Sequence, residues 1–408
     1  MKKLLIVSQY FPPEVGAPQN RLFELAIRLK EHGIKTTVLT AMPNYPSGVI
    51  HESYKNKKYH FEVISGIDVH RTAIYATPSK GLIKRLRNYF SFVWSSYFIG
   101  RKKIKGHFDF VLCESPPLFL GISALKLAKR YNAKFIFNVS DLWPESAEKL
   151  GLVNNRLMLG MAYKLEKYLY KKSDLITGQT QGIVNNISER FPELKTYWLP
   201  NGVDLNYYNP VNFDSSWRVE NDYNEKELLI FYAGIIGHAQ GLDIILETAE
   251  KLKDREEIKF ILLGSGPLKK TLVKRRDEMK LKNVIFEDLV PKSEMPRIIN
   301  SIDISLVPLK KLDIFKGAIP SKIFENCAME KMLLLGVEGE AKDLFIDQGD
   351  AGLFFEPENS EDLKNQILKT IESPTLLSEK GKAGRIFVDQ KFNRDNIAKE
   401  FSVVLNKL

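Results

Sequence analysis

The sequence predicts an α/β protein built from two doubly wound parallel sheets. Its 408 residues suit two or three domains at about 150 residues each, with chain enough in each for a core of its own. The composition, 44% hydrophobic, 11% aromatic and 27% charged, is that of an ordinary globular protein, not a collagenous or disordered one. Short apolar or β-branched runs alternate with segments of helical period along almost the whole chain, the pattern of parallel strands joined by crossover helices.

In the first half, residues 4–8, 36–40, 108–113, 134–139 and 174–178 read as strands, and 19–31, 118–131 and 156–171 carry apolar residues three and four apart, as helices do. The second half repeats the theme, with strands expected at 228–233, 259–263, 283–286, 304–308 and 332–337 and helices between them. Residues 199–226 open on Leu199-Pro200-Asn201-Gly202-Val203-Asp204 and continue as a polar run without periodicity, which marks the linker. The expected division is 1–205, 206–385 and a terminal helical segment, 386–408. Ligands of such sheets bind outside the carboxyl ends of the strands, so a cleft between the two domains is the expected site.

The opening Met1-Lys2-Lys3-Leu4-Leu5-Ile6-Val7-Ser8 is basic like a secretory signal. Its apolar run falls short of the roughly 7–15 residues of a signal core, and a first strand fits it better. No stretch approaches the roughly 18 apolar residues of a membrane span, so any membrane contact is expected to be peripheral. Cys113 and Cys327 belong to no Cys-x-x-Cys or Cys/His cluster, which argues against a disulfide framework or a structural zinc and for a cytoplasmic protein. The net charge of +10 is uneven: residues 1–210 hold 30 Lys and Arg against 16 Asp and Glu, or +14, and the remainder holds 30 against 34, or −4. No helix-turn-helix, zinc-finger or RRM signature accompanies it, so nucleic acid is not an expected partner, whereas an anionic membrane surface attracts the same charge.

Glycines stand at three strand ends. Gly16 lies in the Pro-rich loop after the first strand, Gly234 to Gly241 follow a strand of the second half, and Gly264-Ser265-Gly266-Pro267 do so one unit later. Each could bring backbone N–H groups to an anion, or could be a tight turn. The absence of Gly-x-Gly-x-x-Gly and of a Walker lysine disfavours a nicotinamide dehydrogenase or a P-loop ATPase. Pro320-Ser321-Lys322-Ile323-Phe324-Glu325 reads as a helix start. Ser321 could cap it, Lys322 could meet a diphosphate, and Glu325 could accept from two sugar hydroxyls; the plain alternative is an i, i+3 surface ion pair. Glu14 and Asp141 both follow strands, where a carboxylate could take a proton, stabilise a sugar cation, cap a helix or order a loop.

Taken in order, Pro12-Pro13-Glu14-Val15-Gly16-Ala17, Pro200-Asn201-Gly202-Val203-Asp204, Gly234 to Gly241, Gly264-Ser265-Gly266-Pro267 and Pro320 to Glu325 resemble the family 4 retaining glycosyltransferases of GT-B fold, over nearly the whole chain. Asp141-Leu142-Trp143-Pro144 and Gly234-Ile235-Ile236-Gly237-His238-Ala239-Gln240-Gly241-Leu242 are most similar to a bacterial branch typified by N-acetyl-L-fucosaminyltransferases. The resemblance implies a UDP-sugar donor held mainly by the second domain. Gly16 and Ala17 would offer backbone to the diphosphate, Gly234, Gln240, Gly264 and Gly266 would border the nucleotide, and Leu289 and Val290 the base. Ser321 and Lys322 would bind phosphate and Glu325 the ribose, while Asp141 and Glu14 would serve the reacting centre, neither ranked as the base. The family's usual Arg and Lys correspond to Ile235 and Gln240, the first Glu of its Glu-x7-Glu pair to Gly317, and its catalytic-region His to Asp141, so Lys322 would carry more of the phosphate charge.

The activity so implied is retaining, metal-independent transfer, without a cofactor, of an N-acetylated amino sugar such as N-acetyl-L-fucosamine to a polyprenyl-linked saccharide in capsule or O-antigen synthesis. Residues 1–205 would face the acceptor and the membrane, 206–385 would bind the nucleotide sugar, and the segment 386–408 would cross back to the first domain. Two alternatives remain: a noncatalytic nucleotide-binding subunit, and a UDP-sugar 2-epimerase of the same fold.

Residues 80–105 point to an anionic membrane surface. Leu82, Leu86, Tyr89, Phe90, Val93, Trp94, Tyr97 and Phe98 form an apolar stripe at helical spacing. Lys80, Lys84, Arg85, Arg87, Arg101, Lys102, Lys103 and Lys105 flank it, with no Asp or Glu from 80 to 107. The expectation is a protein held peripherally at the inner face of the membrane, against the alternative of an ordinary core helix with a solvated basic face.

Overall fold

The computed structural model describes residues 1–14, 16–78, 81–149, 151, 153 and 155–408; Val15 of the first motif and Lys80 of the basic stretch lie outside the described residues. The chain divides into two compact units, Met1–Asn201 with Arg394–Leu408, and Gly202–Asn393.

In the first unit, strands β1 (Lys2–Val7), β2 (Ile34–Ala41), β3 (Tyr59–Ile64), β4 (Ile67–Thr72), β5 (Phe110–Ser115), β6 (Lys134–Val139), β7 (Leu175–Gly178) and β8 (Thr196–Trp198) form one sheet in the order β3-β4-β2-β1-β5-β6-β7-β8. All neighbours are parallel except β3 and β4. Leu4, Leu5, Ile6 and Val7 are wholly buried, as a central strand covered on both faces requires. The helices are α1 (Ala17–Glu31), α2 (Leu82–Lys103), α3 (Leu120–Tyr131), α4 (Glu145–Lys149), α5 (Arg156–Lys172) and α6 (Gln181–Arg190). The β3–β4 hairpin was not among the expected strands. Its signal is Ser65-Gly66 between two alternating runs, and both residues adopt positive φ (50° and 77°), as a two-residue hairpin turn demands.

The second unit carries β9 (Leu228–Ile235), β10 (Ile258–Ser265), β11 (Val284–Glu287), β12 (Ile304–Pro308), β13 (Met332–Gly336) and β14 (Gly352–Phe354), ordered β11-β10-β9-β12-β13-β14 and parallel throughout. Its helices are α7 (Ser216–Glu220), α8 (Asp243–Lys251), α9 (Lys269–Glu278), α10 (Met295–Ser301), α11 (Lys322–Ala328), α12 (Glu340–Lys342), α13 (Ser360–Glu372) and α14 (Thr375–Phe392). The unit begins at Gly202, four residues before the expected boundary, and α14 stays within it. The return comes at Arg394, where α15 (Arg394–Lys407) begins. Ile397, Ala398, Phe401 and Leu405 of α15 are buried in the same apolar cluster as Leu22, Leu25 and Leu29 of α1, and Asp395 accepts from Arg28. The apolar period of this last helix thus completes the first unit's core.

The expected single stripe on α2 resolves into two faces. Asn88, Phe92, Val93, Ser96 and Gly100 turn inward, and a Cβ at Gly100 would stand 2.8 Å from Leu39 Cδ2, so a small residue permits the close approach to β2. Trp94 (60% exposed) and Phe98 (44%) face out and stack on each other at 5.3 Å. Arg101 lies over the rings of Tyr97 and Phe98. The side chain of Leu82 lies outside the described residues.

Candidate functional site

In the second unit, a cradle forms at the carboxyl ends of β9 and β10. Gly234 and Gly264 are paired in register and have φ of 143° and 150°. A Cβ at Gly264 would lie 1.9 Å from the Gly234 carbonyl oxygen, and one at Gly266 2.3 Å from that of Ile236. Both are far inside contact distance, so these glycines mark a close crossing of two strand ends and not merely a turn. Lys322 Nζ sits 3.7 Å from the centroid of the Tyr232 ring and 3.1 Å from where a Cβ on Gly234 would be. The missing side chain at Gly234 is what gives the ammonium its place. Tyr232 is held by donating its hydroxyl to the Ile235 carbonyl, 2.6 Å away.

Loss of hydration pushes the Lys322 ammonium down to about 7 from its ordinary 10.5, opposed by the Glu325 carboxylate. The two do not close into the salt bridge that a surface pair would make. Glu325 is half-buried, and its carboxylate has no hydrogen-bond or ion-pair partner among the described residues. Ser321 was expected to cap α11, but its φ of −59° and ψ of −26° are already helical and its hydroxyl makes no cap bond; a capping residue needs extended backbone to reach the N–H groups ahead. Gln240 closes the loop from Gly234, its amide oxygen 3.1 Å from where a Cβ on Gly237 would be, and Gly241 takes the left-handed conformation, φ 59°. Leu289 (67% exposed) and Val290 follow β11, the strand beside β10. Gly317 is exposed, with open space where its side chain would be.

The remaining candidates belong to the first unit. Gly16 precedes α1 in extended backbone, φ 174°, so it is not a strained position; Ala17 is the first residue of the helix. The Gln19 side chain reaches back towards Gly16, and its buried Oε1 has no hydrogen-bond partner among the described residues. Asp141 is exposed just beyond β6 and accepts from the Ser146 hydroxyl at the start of α4. Glu14 is engaged otherwise. Its buried carboxylate accepts from the backbone N–H of Phe11 (3.2 Å), Asn44 (2.7 Å) and Tyr45 (2.8 Å), and burial raises its pKa against those donors and Arg71. These bonds tie the loop after β1 to the loop after β2, the loop-ordering role of a carboxylate, and they occupy the groups a proton acceptor would use.

The Glycosyltransferase Family 4 profile matches residues 19–207, and the profile for Glycosyl transferases group 1 matches residues 214–387. The putative colanic acid biosynthesis glycosyl transferase WcaI of Escherichia coli K12 is 24% identical over 407 residues, 98% of each chain. The O-antigen chain mannosyltransferase C of Escherichia coli is 22% identical over 71% of this chain and 68% of its own. Among solved structures, the sucrose-phosphate synthase of Thermosynechococcus elongatus superposes with a TM-score of 0.77 at 15% identity, covering 100% of this chain and 99% of that one. HepE of Anabaena, in complex with UDP and glucose, does so at 0.73 and 15%, covering both chains fully. The chain belongs to the GT-B glycosyltransferases.

Two further features of this glycosyltransferase escaped the reading of its sequence. Lys269 of α9 donates to the carbonyls of Gly264 (3.0 Å) and Glu287 (2.6 Å) and to Asp288, so it clasps the ends of β10 and β11. In the first unit, a buried network lies at the carboxyl ends of β5, β6 and β7. Arg21 of α1 donates to Glu114 and to Ser140, each at 2.7 Å. Ser140 and Asn138 donate to Glu114, and Thr177 donates to Asn138 at 2.6 Å. The network anchors Ser140, the residue before Asp141. Nothing local signals it, because its bonded members lie 24 to 119 positions apart in the chain and meet only through strand register.

Proposed function

We propose that this glycosyltransferase moves an N-acetylated amino sugar such as N-acetyl-L-fucosamine from a UDP-sugar to a polyprenyl-linked saccharide, in the synthesis of a bacterial capsule or O-antigen. The reading rests first on the cradle of Lys322, Gly234 and Gly264. A desolvated cation stands against glycine backbone at the end of a parallel sheet, with an unpartnered carboxylate, Glu325, one turn along α11; a diphosphate fits the first and ribose hydroxyls the second. Lys322 supplies the cation that a metal would bring, so turnover proceeds without one and is indifferent to a chelator. The names of the relatives support the pathway class, and the UDP held by HepE supports the donor class.

Of the two carboxylates, we assign Asp141 to the reacting sugar and acceptor. Transfer proceeds with retention on one face of the sugar, the leaving phosphate assisting deprotonation of the acceptor. Release of UDP from a panel of UDP-sugars in the presence of a lipid-linked saccharide tests the whole reading. Asp141→Asn keeps an acceptor for Ser146 and is expected to fold and bind UDP as the wild type does, yet to lose at least about tenfold in turnover. A wild-type rate removes Asp141 from the mechanism.

The state of Lys322 gives the donor site a pH signature. An ammonium pushed down to about 7 is largely neutral at pH 8, whereas a bound diphosphate restores its charge. UDP binding between about pH 7.5 and 9 is therefore expected to take up close to one proton and to weaken as pH rises. Calorimetry in two buffers of different ionisation enthalpy reads this uptake, and Lys322→Arg should abolish it. In the unliganded protein the sign is opposite. The unfolded chain holds the Lys322 proton up to its ordinary 10.5 and the folded chain only to about 7, so this group makes stability rise with pH across that window.

Among the described residues no helix is long and apolar enough to cross a membrane. We propose peripheral attachment at the inner face through α2, whose outward Trp94 and Phe98 are followed by Arg101, Lys102 and Lys103. Flotation with anionic vesicles should recover the protein at low salt and fail as ionic strength rises. Changing the three cations to Ser should weaken recovery by roughly two orders of magnitude, at about 1 kcal/mol each. Equal recovery on neutral vesicles would rule the contact out.

A further inference from the structure

Among the described residues, β8, β11 and β14 end their sheets with only three, four and three residues, and so short an edge offers little backbone to another chain. The remaining edge, β3, is different. It runs for six residues, Tyr59-His60-Phe61-Glu62-Val63-Ile64, pairs with β4 without a bulge, contains no Lys or Pro to blunt it, and exposes Phe61 (46%) and Val63 (57%). Parity fixes which backbone groups it leaves open. Ile64 and Ile67 face each other across the two-residue turn, the position at which such a hairpin exchanges bonds between its strands, and the Ala73 N–H donates to the Lys58 carbonyl at the other end, 3.1 Å away. The even-numbered residues of β3 therefore bond to β4. Tyr59, Phe61 and Val63 turn their N–H and C=O groups to the open edge, where no hydrogen bond reaches them among the described residues.

This edge is complementary to itself. When two antiparallel copies of β3 are related by a dyad at Phe61, every outward residue faces an outward residue: Phe61 meets the partner's Phe61, and Tyr59 meets the partner's Val63. His60 then stands across from the partner's Glu62 in the closer, non-hydrogen-bonded position. The two groups are already 3.9 Å apart within one chain. Glu62 accepts from Arg71 and from the Tyr54 hydroxyl (3.1 Å) in its own chain, but a carboxylate has room for about four bonds, so a second imidazole displaces neither. Moving the dyad one residue on sets Glu62 against the partner's Glu62, like charge on like; moving it one residue back carries Val63 beyond the end of the partner strand. On the outward face each Phe61 packs on His70 of β4, with ring centroids 5.0 Å apart, so pairing joins two aromatic ladders across the dyad.

We propose that β3 is an interface for a second copy of this chain, pairing antiparallel with the partner's β3 about a dyad at Phe61 and joining two first-unit sheets into one. The dyad stands normal to the sheet. It therefore keeps α2, which approaches β2 at Gly100 and meets β4 where Ser95 bonds to Thr72 (3.1 Å), on the same side of the joined sheet in both copies. The pairing depends on none of the donor, acceptor and membrane readings above.

Sedimentation velocity of the full-length protein between about 1 and 100 μM reads the association. The wild type is expected to sediment as a dimer at the upper end. Phe61→Lys, which sets a cation against its own copy at the centre of the pair, should raise the dissociation constant at least about tenfold while leaving the unfolding midpoint unchanged, since the position is exposed. His60→Lys keeps a cation across from the partner's Glu62 and should retain the dimer. Oxidation reads the register: Phe61→Cys brings two thiols to directly opposed residues, with Cα atoms about 5.5 Å apart and within reach of a disulfide, whereas Val63→Cys leaves them roughly 14 Å apart. Cross-linking is expected from the first variant alone. Three results overturn the proposal: a monomer at about 100 μM, which would leave the edge to a strand of another protein; a dimer as tight in Phe61→Lys as in the wild type, which would put the contact elsewhere, such as the outward Trp94 and Phe98; or equal cross-linking of the two cysteine variants.

Discussion

Glu114→Ala is expected to cost the first unit about 3–5 kcal/mol, because it leaves the buried Arg21 guanidinium without its carboxylate. The side chains of Arg21 and Glu114 are only 7% and 3% exposed, so water cannot replace the lost partner. Ser140 and Asn138 lose their acceptor in the same step. For a body of this size the loss corresponds to a fall of roughly 6–20 °C in the unfolding midpoint. The double variant Arg21→Met with Glu114→Leu should recover most of it, since replacing a buried pair by apolar side chains of similar volume is often neutral. A midpoint within about 2 °C of wild type in Glu114→Ala alone would mean that Arg21 finds another anion, and the network would not be the anchor of the Asp141 loop.

Lys322→Ala is expected to weaken UDP binding by about 1.5–3 kcal/mol, or roughly 10- to 150-fold, the worth of a charge-assisted hydrogen bond to phosphate in a desolvated place. The unliganded protein should not be destabilised, because the substitution removes a cation that folding has stripped of water. That contrast separates a binding role from a structural one. Lys322→Arg retains the charge but not the compact fit against Gly234, and should fall between the two. Glu325→Gln is expected to reduce affinity through the ribose alone, with no change in the proton uptake on binding. Wild-type UDP affinity in both Lys322→Ala and Glu325→Gln would put the nucleotide elsewhere on the protein.

The layered architecture and its strand ends were legible in the chain because they depend on local periodicity and on glycine. Central strands such as Leu4 to Val7 and Met332 to Gly336 announce themselves by short unbroken apolar runs, and the helices between them by their apolar spacing. The spacing of Lys322 and Glu325 likewise places both on one helical face in any context. The short strands β8 and β14, three residues each, were not legible, because so few residues carry no period and their pairing is decided by the neighbouring strand.

What the sequence by itself determined is therefore the alternation of the longer parallel strands with helices, the glycine-bearing strand ends and the set of residues at which phosphate chemistry is assigned. Tertiary structure alone decided what surrounds those residues. Glu14 could order a loop or serve a reaction until three backbone N–H groups were found to converge on it. Lys322 could be a surface cation until Tyr232 and the empty flank of Gly234 removed its water. The apolar residues of α2 could form one stripe until the helix turned Phe92 inward and left Trp94 outside. The physical reason is common to all three. Periodicity and backbone preference act over a few residues, whereas hydration, charge pairing and the choice of buried face depend on atoms brought together from distant strands by register and packing.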